Sequence, residues 1–155
     1  MLHRRATTVL DENPELAERL LREALAADIY HGPSHNNLGI LLLARDELYA
    51  AANEFQWARK LMPGHPDPRV NLALTLERAG QTNEAIAAYD SALAVWDKYL
   101  PALQGKTRLQ VSTGELDNTT HEALQAIAFR GDDAWRAWAN LQLSRDRGFS
   151  ERTQQ

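Results

Sequence analysis

His31 and His35 stand four residues apart, the spacing at which successive turns of a helix bring two imidazoles onto one metal ion. Gly32 and Pro33 lie between them and interrupt the helix this geometry needs, and no third ligand is apparent. His65 follows His31 by 34 residues, which suits loop residues of a repeating unit, while His3 and His121 have no visible partner. Gly105-Lys106-Thr107 matches the end of a phosphate-binding loop, but the glycine-rich stretch that should precede it is missing and it begins inside a predicted helix. The glycine fingerprint of dinucleotide folds and the Gly-x-Ser-x-Gly elbow are absent. Asp11, Glu12 and Glu15, and again Asp132 and Asp133, crowd at predicted helix starts. There they complement the helix dipole and cap it, and no apolar pocket that would raise a carboxylate pKa can be traced. With no cysteine in the chain, thiolate catalysis, disulfides and Cys-ligated zinc all drop out. The expectation is therefore no catalytic residue, no metal and no cofactor.

The elements carrying these residues belong to an ordinary globular chain: 155 residues, 44% hydrophobic and 25% charged, the size of one domain. A net charge of -4 gives no general attraction to phosphate, so a nucleic-acid partner is not expected. The longest apolar run, "LGILLLA", falls far short of the roughly 20 residues that span a bilayer. The first residues, "MLHRRATTVLDENPEL", contain no apolar stretch of signal-peptide length. A cytoplasmic protein without membrane insertion is the expectation.

Shifting the chain against itself by 34 residues aligns four columns. Ala24, Ala58, Ala92 and Ala126 form one; Leu21, Phe55, Tyr89 and Ala123 a second; Ala17, Ala51, Ala85 and Thr119 a third; Ala27, Leu61, Val95 and Phe129 a fourth. Asp46, Gly80, Gly114 and Gly148 mark turns at the same interval. Closely packed helices need a small side chain where backbones approach and a bulky one beside it, which alanine and Phe55 or Tyr89 provide. Gly80 and Gly114 are expected to end helices, because glycine accepts positive φ without steric cost. The pattern predicts helices over 15–27, 34–45, 48–60, 67–79, 82–95, 101–113, 117–129 and 133–146, with Pro14, Pro33, Pro68 and Pro101 at or near their starts and Pro63 and Pro66 between them.

Leu38-Gly39, Asp46, Ala51, Phe55, Ala58 and Pro63, followed by Leu72-Ala73, Gly80, Ala85, Tyr89 and Ala92, resemble the tetratricopeptide repeat. The resemblance covers 32–99 well and weakens over 100–133, where Lys106 and Thr107 stand at the family's seventh and eighth positions. It implies an all-α solenoid of antiparallel helix pairs, a right-handed superhelix, in a single domain 1–155. Its parts are a partial repeat 1–31, repeats 32–65, 66–99 and 100–133, a capping helix 134–148 and a frayed tail 149–155.

The resemblance also implies binding, with the first helices of successive repeats lining a concave face for an extended peptide or partner helix. If Leu38, Leu41 and Leu42 serve the stack, Asn36, Asn37, Ile40, Leu43 and Ala44 face the groove. The same offset selects Val70, Asn71, Leu74, Glu77 and Arg78, then Gln104, Gly105, Arg108, Val111 and Ser112, and finally Trp138, Gln142 and Arg145. Asn37 and Asn71, one repeat apart, would grip a peptide backbone or else cap turns. Ile40, Leu43, Val70 and Leu74 would form an apolar strip, either exposed or buried against neighbouring first helices. Arg78, Arg108 and Arg145 would either favour anionic ligands or remain solvated. Trp135 and Trp138 would either anchor a partner or fold back over the stack. The five-residue clamp of chaperone-tail binders maps onto Asn36, Ile40, Asn71, Pro101 and Gly105; only Asn71 matches, which excludes that subfamily. The expected function is a non-catalytic adaptor for another protein. The alternatives are a homo-oligomeric scaffold joined through its terminal helices and a regulatory subunit working through a convex face around Gln56, Trp57 and Arg59.

Overall fold

The computed structural model describes Leu2, Leu10 and residues 12–152, with side chains as far as Arg145. Among the described residues there are eight helices and no strand: α1 (Pro14–Ala27), α2 (Gly32–Ala44), α3 (Leu48–Leu61), α4 (Asp67–Arg78), α5 (Thr82–Val95), α6 (Leu100–Thr113), α7 (Asn118–Arg130) and α8 (Asp133–Arg152). His3, Asp11 and the side chains from 146 onward, to which parts of the sequence argument referred, lie outside the described residues.

The punctuation follows local chemistry. Proline occupies the first turn of α1, α2, α4 and α6, where its fixed φ suits a helix and its missing N–H is not needed. The Asn13 side chain accepts from the Leu16 amide at 3.0 Å and so caps α1, and Asp132 does the same for α8 through the Trp135 amide at 2.9 Å. Asp46, Gly80 and Gly114 all adopt left-handed φ, at 63°, 75° and 76°, each just beyond the end of a helix. Gly148 departs from this series, because α8 runs through it to Arg152 instead of turning. The three turns each lead into a helix that packs back on the one before.

The chain forms two compact units, residues 1–97 and 98–155. In the first unit α2 pairs with α3 and α4 with α5, while α3 packs on α4, α1 on α2, and α2 touches α4. Its core gathers Leu20, Leu21, Leu38, Leu41, Leu42, Phe55 and Leu72 around Ala17 and Ala51. Burial of each large side chain of this kind contributes about 1.5–3 kcal/mol. Three of the sequence columns are buried here, as helix packing requires: Ala17, Ala51 and Ala85; Leu21, Phe55 and Tyr89; and Ala58 with Ala92.

In the second unit α7 packs against both α6 and α8. Leu124, Ile127 and Ala139 form its centre, with Trp135, Trp138, Leu100 and Leu103 packed around them. The fourth column fails as a core position: Phe129 is 86% exposed and Ala27 is exposed as well. Leu61 and Val95, the other two members, are half-buried at the ends of α3 and α5, so this column lies at the margin of the core.

Candidate functional site

In the first unit, α2 and α4 meet along a seam built from residues the sequence placed on the binding face. Asn71 Nδ2 donates to Asn36 Oδ1 at 3.0 Å, and Arg78 Nη1 donates to the Leu43 carbonyl at 2.7 Å. The second bond adds to the one that the Leu43 carbonyl already accepts from the Asp46 amide, and it puts a cation at the negative end of the α2 dipole. Asn37 is half-buried, and among the described residues its amide makes no side-chain hydrogen bond. Asn37 and Asn71 therefore share a register without sharing a role: Asn71 is engaged with its own chain and Asn37 is available.

The expected apolar strip divides in the same way. Val70 is buried at 7% exposure, while Ile40 and Leu43 are half-buried and pack against the core of the first unit. Leu74, 38% exposed, is the member that presents substantial apolar surface. Val70 thus belongs to the packed interior rather than to the binding face. Glu77 likewise accepts a hydrogen bond from the Tyr89 hydroxyl at 3.3 Å.

In the second unit, Val111, Gln142 and Arg145, all assigned to the binding face from sequence, line one cavity of about 190 Å³ together with Leu116, Asp117, Thr120, His121 and Leu124. Gln104 and Arg108 are half-buried on α6, and Gly105 is buried. The Asp117 carboxylate at the cavity edge caps α7. Its Oδ1 accepts from the Thr119 hydroxyl at 2.6 Å and from the Thr119 and Thr120 amides at 2.8 and 3.0 Å, and its Oδ2 accepts from Gln110 at 2.7 Å. The Thr119 hydroxyl, then Gln110, the Thr119 amide and Thr120, hold this carboxyl well below the usual carboxylate range despite some desolvation. Trp135 and Trp138 meet edge to face at 5.4 Å and cover the core of the unit, the inward of the two arrangements open to them.

The two histidines at metal-ligand spacing have separate duties. His31 is the N-cap of α2 and accepts from the Ser34 amide at 3.2 Å. His35 is buried, with Nδ1 at 2.6 Å from Glu54 Oε2 and Nε2 at 2.8 Å from the Ile29 carbonyl, and its ring stacks on Trp57. Sequence gave no sign of this assembly, because Glu54 and Trp57 lie on the partner helix at separations unrelated to any helical period. Among the described residues no group of three or more His, Asp or Glu could hold a metal ion, and no helix is long and apolar enough to cross a membrane.

No protein-family model matches the sequence, and no curated protein matches it significantly. Solved structures do. MamA superposes with a TM-score of 0.70 at 20% identity over 93% of this chain and 79% of MamA. YrrB, described as a TPR protein with an unusual peptide-binding site, gives 0.71 at 16% identity over 84% of this chain and 67% of YrrB. A mutant O-GlcNAc transferase from Thermobaculum terrenum gives 0.71 at 22% identity over 79% of this chain, which spans only 24% of the transferase. The fold is that of an all-α helical-repeat solenoid. Within that class it is the tetratricopeptide-repeat fold, as the residues of 32–99 foreshadowed.

Proposed function

We propose that the chain is a non-catalytic protein-interaction module that holds an extended segment or helix of a partner protein against the α2/α4 face. The observation that carries this reading is the contrast at the seam: Asn71 and Arg78 are tied to α2, whereas the Asn37 amide makes no side-chain bond and Leu74 offers apolar surface. A primary amide both donates and accepts, so Asn37 can pair with a peptide unit whatever its side chain. Asn36, Ile40, Leu43 and the buried Val70 frame this site, and Asn71 and Arg78 fix its geometry. In the second unit Gln104, Arg108 and the cavity bearing Val111, Gln142 and Arg145 form the corresponding contact region, with Trp138 as its support. YrrB, of the same fold, is described as having a peptide-binding site, which supports binding as the role of such a scaffold. No cofactor and no catalytic group enters this reading.

The test is capture of partners from the native host lysate by the unmodified protein and by Asn37→Ala, with identification by mass spectrometry and thermal unfolding as a control. Loss of a captured protein at unchanged unfolding temperature is the expected result. Equal capture by both forms would refute the α2/α4 site, and recovery of this protein alone would favour self-assembly.

A further inference from the structure

A second surface, on the exposed side of α3, combines a fixed aromatic with unneutralised positive charge. Trp57 is 38% exposed, and the His35 ring stacks on it at 5.8 Å between centroids and 16° between planes. His35 is itself held at both nitrogens, by Glu54 and by the Ile29 carbonyl, so the indole rests on a rigid support and needs little ordering on binding. Lys60 Nζ sits 5.5 Å from the centre of the same indole. Asn53, Gln56, Trp57, Arg59 and Lys60 together line a cavity of about 270 Å³.

Two of its lining residues are cations. Among the described residues Arg59 and Lys60 make no ion pair, and Glu54, the carboxylate on the same helix nearest to them in sequence, is engaged with His35. Arg69, from α4, reinforces the field: burial and then the neighbouring Arg59 charge hold its guanidinium below the ordinary arginine range. Such crowding of cations stands out in a chain whose net charge is -4.

We propose that this face is a docking site for an acidic peptide segment of a partner protein, distinct from the α2/α4 face. Arg59 and Lys60 take carboxylates, the Trp57 indole packs the aliphatic part of the segment, and the Asn53 and Gln56 amides, one helical turn apart, hold its backbone. A peptide fits better than nucleic acid, because few cations are available here to replace phosphate counterions.

Fluorescence anisotropy tests this with the full chain and two labelled synthetic peptides, one alternating glutamate with leucine and the other its glutamine counterpart. The glutamate peptide should bind about tenfold tighter at low salt, with the preference fading as salt rises. Arg59→Ser/Lys60→Ser should abolish that preference while leaving circular dichroism unchanged. Equal binding of the two peptides, or a preference that survives Arg59→Ser/Lys60→Ser, would overturn the proposal. Tighter binding of a single-stranded oligonucleotide of matched charge would also overturn it, in favour of a phosphate site. Sedimentation of the protein alone covers a second copy as occupant: an oligomer that dissociates on Arg59→Ser/Lys60→Ser, without peptide preference, would replace the acidic partner with this chain itself.

Discussion

Asn71 Nδ2 lies 3.0 Å from Asn36 Oδ1, a bond that joins the first helices of two successive repeats. The partners are 35 residues apart, one more than the repeat, so the amide of one unit meets the position just before its own equivalent in the previous unit. The bond positions the face that Asn37 presents, because it fixes how far α4 can slide along α2.

A double-mutant cycle with Asn36→Ala and Asn71→Ala isolates this contribution. A half-buried amide pair of this kind is worth about 1 kcal/mol, so chemical denaturation should give a coupling energy of about 0.5–1 kcal/mol. Strict additivity of the two substitutions would mean that the bond carries no stability.

Gly39 is required by the ring it faces. A Cβ added there would lie 2.6 Å from Phe55 Cε1 and 2.8 Å from Cδ1, and Phe55 is completely buried and has no room to retreat. Gly39→Ala should therefore destabilise the protein by about 1–3 kcal/mol, as overpacking does, even though alanine is the better helix former. Shortening the ring with Phe55→Leu should recover part of the loss. A neutral or stabilising Gly39→Ala would show that α2 and α3 can move apart freely.

Asp117 carries the third prediction, through pH. Its folded pKa lies below the unfolded value of about 3.9, so its contribution is complete above that value and is lost as pH falls through the folded pKa. Asp117→Ala should cost about 1 kcal/mol at neutral pH, the usual worth of an N-cap. The gap between Asp117→Ala and the unmodified protein should still be present near pH 4 and close only in stronger acid. A gap that closes already between neutrality and that point would contradict the depressed carboxyl.

The same register explains why the sequence pattern weakens toward the carboxyl end without the repeat being lost. Gly39 faces Phe55, and one and two periods on stand Ala73 with Tyr89 and Thr107 with Ala123. Ala73 and Thr107 are both buried. Between the first and the third of these pairs the small position grows from glycine to threonine while the large one shrinks from phenylalanine to alanine, the direction that a close-packed interior favours. Thr107, a departure from the family's eighth position, is nonetheless a core residue.

The sequence by itself determined the helices, their turns and the repeat, because those are encoded by neighbours along the chain. Proline fixes φ at helix starts, Asp46, Gly80 and Gly114 take left-handed φ at helix ends, and alanine recurs where helices must approach. Only the tertiary structure decided which polar groups remain available for a partner. Asn71 is bonded where Asn37 is not, Arg78 is drawn to the Leu43 carbonyl, and Val70 is buried. His35 joins Glu54 and supports Trp57. These outcomes depend on where side chains of different helices meet in space, and the angle and offset at which two helices pack are set by the summed contacts of both faces rather than by the spacing of residues along either one.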